Sequence, residues 1–172
     1  MNPNPSNAMV VTLRAKWNKD IPSTLYAYNN GNQYSDVTGG WVFELLDCGT
    51  GDYSISPSIY LKVTSDSSCY HTIAYRTKNK VPTQNYKKLI ANVTAITYSN
   101  GGCETGNFIQ ANLSTEHSRW SYSGGVAVQP TTTGIFTLDI SEIDEPSYIS
   151  VYVHGNCFKT SSITVSSIYL TN

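Results

Sequence analysis

Short runs of alternating apolar and polar residues recur along the chain, separated by segments rich in Gly, Asn, Ser and Pro. A period of two is typical of half-buried β-strands, and no segment predicts a helix of ordinary length. Regularly spaced strands of this kind predict an antiparallel sandwich or barrel. The predicted strands are residues 9–17, 24–28, 41–46, 58–64, 70–76, 88–98, 107–114, 124–129, 134–140, 148–154 and 162–170.

The last two strands show most clearly which residues face the core. In the penultimate strand, Ile149, Val151 and Val153 share one face, so we expect all three to be buried. In the last strand the apolar residues change phase at Ser166 and Ser167. A change of phase moves side chains to the opposite face, and it therefore predicts a β-bulge at these serines.

Trp41 opens a strand in which Glu44 identifies the solvent face. Trp41 and Phe43 occupy the opposite phase from Glu44, so we expect Trp41 in the core. Gly39 and Gly40 precede it and predict a turn or bulge through which the chain enters the sheet.

The composition limits the classes of partner. Residues 1–9 contain two prolines and three asparagines and predict a flexible arm. The length of the rest of the chain predicts a single domain over residues 10–172. Charged residues are 13% of the chain against ~25% in typical soluble proteins, net charge is −1, and no basic cluster exists, so we expect no nucleic-acid partner. No apolar run approaches the ~20 residues of a membrane span, and the first residues do not form a secretory signal.

The cysteines leave several possibilities open. They show no metal-finger spacing, and four cysteines allow three disulfide pairings, none of which the spacing selects. The alternative is free thiols, since the first residues do not form a secretory signal. The four positions are Cys48, Cys69, Cys103 and Cys157.

Four segments carry a family resemblance: "LYAYNNGNQYSDVTGGW" (25–41), "YRTKNKVPTQNYKKLIANVTAIT" (75–97), "GIFTLDISEIDEPSYISVYVHG" (134–155) and "SSITVSSIYL" (161–170). They resemble the galactose-binding-like jelly-roll modules of minor structural and tail-associated proteins of phages that infect Gram-positive hosts. The resemblance implies an all-β antiparallel jelly-roll sandwich in a virion or extracellular setting. It also implies other virion or tail proteins as partners, a homo-oligomer such as a trimer, and glycan contact through loops at one end.

The segment "STEHSRWSYSGG" (114–125) is the predicted binding site for a host-surface glycan. Sugars present C–H faces that stack on aromatic rings and hydroxyls that pair with planar polar groups. The alternative is that its tryptophan packs against one end of the sandwich. The candidate ligand-binding residues are Glu116, His117, Arg119, Trp120 and Tyr122.

Modules of the resembled type often carry a structural calcium ion, and "DCGTGD" (47–52) is the candidate site for it. Asp47 and Asp52 flank two glycines there, and backbone carbonyls would complete an oxygen shell. The alternative is a Gly-rich hairpin with solvated aspartates. No other cofactor is expected.

No catalytic signature is present in the sequence. No carboxylate pair stands out, the histidines are scattered, and there is no G-x-S-x-G motif. The sequence therefore predicts a non-catalytic phage virion or tail structural protein that contacts host carbohydrate. The alternatives are a carbohydrate-binding module of a bacterial secreted protein and a cell-wall hydrolase.

Overall fold

The computed structural model describes residues 20–46, 50–64, 71–97, 106–112, 126–155 and 160–172. Within these ranges the chain forms eleven strands, a four-residue helix α1 (Ser35–Thr38) and a 3-10 turn (Thr83–Asn85). Every strand predicted inside the described ranges is present; the one predicted at residues 9–17 lies outside them. The strands are β1 Thr24–Asn29, β2 Trp41–Leu46, β3 Thr50–Ser54, β4 Ile59–Thr64, β5 His71–Thr77, β6 Lys88–Thr97, β7 Gly106–Asn112, β8 Val126–Val128, β9 Gly134–Asp139, β10 Tyr148–Gly155 and β11 Thr160–Thr171.

The strands form two antiparallel sheets that pack face to face. The first sheet has the order β3-β4-β11-β6-β9, with β1 also paired to β11, and the second has the order β2-β5-β10-β7-β8. Strands β4 to β11 alternate between the two sheets except for the β7–β8 hairpin, and this arrangement is a jelly roll. The predicted fold class, an all-β antiparallel jelly-roll sandwich, is confirmed.

The alternation of apolar residues in the last two strands correctly predicts which side chains are buried. Ile149, Val151 and Val153 are fully buried, as expected. In β11 the register against β6 shifts between Val165 and Ser167, which confirms the predicted bulge. The shift keeps both halves of the strand in the core, since the apolar residues on either side are buried: Ile163, Val165, Ile168 and Leu170.

Trp41 is a core residue, as its strand phase predicts. Its side chain is 9% exposed, and its Nε1 donates a hydrogen bond to the carbonyl oxygen of Ala27 at 3.0 Å. The Trp41 ring meets the Tyr28 ring edge-on with a centroid distance of 6.1 Å. Gly39 and Gly40 have φ of +70° and +92°, so the turn before Trp41 uses a conformation that glycine adopts without strain.

Strand β3 is the element that the sequence pattern missed, because Gly51 made residues 50–54 resemble a loop. A Cβ atom at Gly51 would lie 2.6 Å from the carbonyl oxygen of Lys62 and 2.9 Å from Cδ1 of Ile73. The glycine therefore permits close approach inside the sandwich rather than a turn.

Replacing Gly51 by alanine is expected to lower the free energy of unfolding by about 2 kcal/mol, because the new methyl group would push against backbone. Urea denaturation followed by tryptophan fluorescence measures this change. The control is Ser54→Ala, an exposed position in the same strand, which is expected to change stability by less than about 0.5 kcal/mol. Equal effects of the two substitutions would contradict the close approach.

The domain boundary at residue 9 stays a prediction, because residues 1–19 lie outside the described ranges. Among the described residues, no helix is long and apolar enough to cross a membrane.

Candidate functional site

The outer face of the second sheet carries an unusual set of side chains. We define it as the side chains of this sheet that alternate with the core residues. The register places Ser150 and Val42 on either side of Arg76, and Tyr152 and Glu44 on either side of Ala74. These residues share a face because cross-strand partners in a sheet point to the same side. Aromatic, charged and hydroxyl groups are thus gathered on one surface.

Arg76 is the centre of this face. Its guanidinium donates a hydrogen bond to Oε1 of Glu44 and lies 5.4 Å from the centroid of the Tyr148 ring. The Arg76 side chain is only 5% exposed and that of Glu44 is 24% exposed. A buried charge is tolerated where a counter-charge and further polar contacts replace water. The ion pair and the cation–π contact meet that condition.

The centre of the outer face is buried, although it points away from the core. Tyr148 and Tyr152 are each 7% exposed, and Ser150 is 6% exposed. Val42 and Ala127, on the two edge strands β2 and β8, are exposed. An antiparallel sheet commonly presents its outer face to water, but on this face the centre is shielded from water and only the edges are exposed.

The glycan-binding residues predicted from sequence lie outside the described residues: Glu116, His117, Arg119, Trp120 and Tyr122. The strands on either side of this segment show where the chain leaves and re-enters the sheet. Strand β7 ends at Asn112, which pairs with Tyr148, and β8 begins at Val126, which pairs with Ala111. The chain therefore leaves and re-enters the second sheet beside Tyr148.

Sequence reasoning did not single out Arg76, Tyr148 or Tyr152, although each lay in a predicted strand. The available signal was a charged residue in strand β5, directly after the apolar and aromatic residues 73–75. Arg76 follows Ile73 and Tyr75, both of which lie in the core. A charge inside such a strand requires a partner, but the sequence does not show that the partner is Glu44.

A second group of aromatic rings lies on the outer face of the first sheet. Tyr26 stacks on Tyr34 with a centroid distance of 5.7 Å and contacts Tyr169 at 5.3 Å. Tyr26 is 36% exposed. These rings offer stacking, and the ion pair described on this sheet, between Lys62 and Asp52, lies on strands β3 and β4 instead of beside them.

The calcium site expected from sequence stays a prediction. Asp52 lies in β3, where its carboxylate is 73% exposed and 3.5 Å from Nζ of Lys62. Asp47 lies outside the described residues. Across the ranges that the structure describes, no group of three or more His, Cys, Asp or Glu side chains is arranged to hold a metal ion.

The acidic segment 141–146 forms a solvated connection between β9 and β10. Glu142, Asp144 and Glu145 are exposed. Asp139 precedes the segment and accepts hydrogen bonds from the hydroxyl and the backbone N–H of Ser141, which lower the pKa of Asp139. These carboxylates have the contacts of a surface turn.

Comparison with known proteins yields likenesses of fold. No family model matches the chain, and no curated protein matches it. A family 11 carbohydrate-binding module from Clostridium thermocellum, in complex with a beta-1,3-1,4-mixed-linked tetrasaccharide, is 13% identical. The match covers 77% of this chain and 88% of that chain, with a TM-score of 0.49.

Two further solved structures have similarly low sequence identity and TM-scores. The family 11 module of the cellulosomal cellulase Lic26A-Cel5E of Clostridium thermocellum is 10% identical over 77% of this chain and 87% of that chain, with a TM-score of 0.47. The agarase AgWH50C is 10% identical over 88% of this chain and 25% of that chain, with a TM-score of 0.44. None of the three is named as a phage protein, so they give no support to the phage-tail origin that the resemblance implied.

Proposed function

We propose that the chain is a non-catalytic carbohydrate-binding module whose ligand lies along the outer face of the second sheet. The observation that supports this most directly is the buried Arg76–Glu44 pair beside Tyr148 and Tyr152 on a face that points away from the core. Ligand sites are concave surfaces with a few oriented polar groups among apolar or aromatic ones.

The chemistry of the face suits sugar. Guanidinium and carboxylate groups are planar and form paired hydrogen bonds, which match adjacent hydroxyls on a pyranose ring. Tyrosine rings pack against the C–H faces of the same ring. Because Arg76 and Glu44 neutralise each other, the pair favours a neutral glycan over an acidic one.

We place the second half of the site in residues 114–125, which follow the strand end beside Tyr148. Glu116, His117, Arg119, Trp120 and Tyr122 supply the same kinds of group as the outer face. This part of the proposal rests on their chemistry and on the position of the two strand ends. The likeness to the Clostridium thermocellum modules concerns the fold, so the ligand class depends on the face itself.

The biological context that we propose for this binding is a virion or tail structural protein that contacts host-surface carbohydrate. It rests on the resemblance, which also implies virion partners, a homo-oligomer and an extracellular location. The molar mass measured by light scattering distinguishes this context from a carbohydrate-binding module of a secreted protein. Such a module is expected to be a monomer, and a virion protein of this kind is expected to be an oligomer.

Replacing Tyr152 by alanine is expected to weaken glycan binding about tenfold or more, since buried tyrosines contribute strongly to recognition. The ligand is first identified on a glycan array, and its dissociation constant is then measured by calorimetry for each variant. The matched control is Tyr26→Ala on the first sheet, which is expected to leave the affinity unchanged. Circular dichroism verifies that both variants are folded.

Three results would contradict the proposed function. Absence of binding to every neutral glycan on the array would remove the ligand class. Loss of affinity in Tyr26→Ala but not in Tyr152→Ala would move the site to the first sheet. A clear zone on zymography against cell walls or polysaccharide would show an enzyme.

A further inference from the structure

The strand ends nearest in sequence to the four cysteines all lie at one end of the second sheet. The cysteines themselves lie outside the described residues, but the strand ends on either side of each one bound its position. Each cysteine is two or three residues from an end of a strand in the second sheet. These ends are Leu46 of β2, His71 of β5, Gly155 of β10 and Gly106 of β7.

The register aligns these strand ends. Leu46 pairs with Thr72, Gly155 pairs with His71, and His154 pairs with Gly106. Because the strand order is β2-β5-β10-β7, the strand ends next to the cysteines follow the same order across the sheet. Along the sequence, these ends are nearest to Cys48, Cys69, Cys157 and Cys103, in that order.

The first sheet gives the same grouping independently. The link that contains Cys48 leads to β3, and the link that contains Cys69 comes from β4. Strands β3 and β4 are paired through Thr50 and Thr64 at this end. The link with Cys103 comes from β6 and the link with Cys157 leads to β11, and these strands are paired through Thr97 and Ser162.

We propose that the protein contains two disulfide bonds, Cys48–Cys69 and Cys103–Cys157. Neighbouring strands are about 5 Å apart, and bonded cysteines have Cα atoms about 4.4–6.8 Å apart. Of the three possible pairings, this one alone joins neighbouring strands in both bonds.

The other pairings require longer spans. A Cys69–Cys157 bond would leave Cys48 and Cys103 three strand spacings apart, about 14 Å. Bonds from Cys48 to Cys157 and from Cys69 to Cys103 would each span two spacings, about 10 Å. The short links disfavour such movement, because residues 47–49 alone connect β2 to β3 and residues 156–159 alone connect β10 to β11.

The bonds form by thiol–disulfide exchange with an oxidised small-molecule disulfide. Two protein thiols lose two electrons and two protons, and the small disulfide takes them up to become two thiols. An oxidising compartment supplies such a reagent, which agrees with an extracellular setting.

Tryptic mapping of the unreduced full-length protein tests the pairing, because lysine or arginine separates all four cysteines. The protein is incubated with reduced and oxidised glutathione, free thiols are alkylated, and the peptides are identified by mass spectrometry. The expected products are peptide 20–62 linked to 63–76, and peptide 89–119 linked to 120–159. Reduction is expected to release all four.

Single variants sharpen the test. Cys48→Ser is expected to leave one alkylated thiol in peptide 63–76, and Cys103→Ser is expected to leave one in peptide 120–159. Any other linked pair in the unsubstituted protein would overturn the proposal. Alkylation of all four cysteines after the glutathione step would overturn it as well.

Discussion

Val151→Asp is expected to lower the free energy of unfolding by at least about 4 kcal/mol, because it places a charge in the core without a partner. Val151 is fully buried in the central strand β10, between Tyr75 of β5 and Ile109 of β7. Domains of ordinary size have about 5–15 kcal/mol of stability, so the substitution should remove a large fraction of it. Urea denaturation followed by circular dichroism measures the change.

The matched control for this substitution is Thr137→Asp. Thr137 is exposed on the edge strand β9, where an aspartate is solvated, so the expected change is below about 0.5 kcal/mol. A Val151→Asp protein as stable as this control would mean that β10 does not face the core. The whole sandwich assignment would then be wrong.

Glu44→Ala is expected to destabilise the fold by about 3 kcal/mol, the second large effect. It removes a carboxylate that pairs with Arg76, whose side chain is 5% exposed, so a poorly hydrated guanidinium loses one of its charged contacts. Arg76→Met is expected to have a smaller effect, about 1 kcal/mol, because it removes the buried charge and keeps much of the side-chain volume. The glutamate that remains is 24% exposed and is partly solvated by water.

A double-mutant cycle separates the pair from its surroundings. The double variant Glu44→Ala and Arg76→Met should be more stable than Glu44→Ala alone, since it no longer buries a guanidinium that lacks the Glu44 carboxylate. Denaturant midpoints for the four proteins provide the measurement. Additive effects of the two substitutions would show that the pair does not couple, and the central feature of the candidate site would be lost.

The strands were predictable because their signal is local. The bounds of β2 agree with the predicted residues 41–46, since alternation and the glycines before Trp41 both mark where the strand begins. The bulge in β11 was predictable for the same reason, because two adjacent serines change the phase of the apolar residues. Strand β3 was missed because Gly51 is required by contacts with Lys62 and Ile73, which are distant in sequence.

The candidate site was predictable only in its chemical type. The sequence indicated residues with sugar-binding chemistry in segment 114–125, but not the surface beside which that segment begins and ends. Arg76 and Glu44 lie on adjacent strands, so their pairing depends on register. The same holds for the approach of Tyr148 to Arg76.

The sequence alone therefore determined the all-β class and every described strand except β3, because alternation within a few residues carries that information. Only the tertiary structure decided the strand order, and with it the buried Arg76 cluster and the order of the strand ends beside the four cysteines. The physical reason is that pairing between distant strands brings together residues whose separation along the chain carries no information about their distance in space.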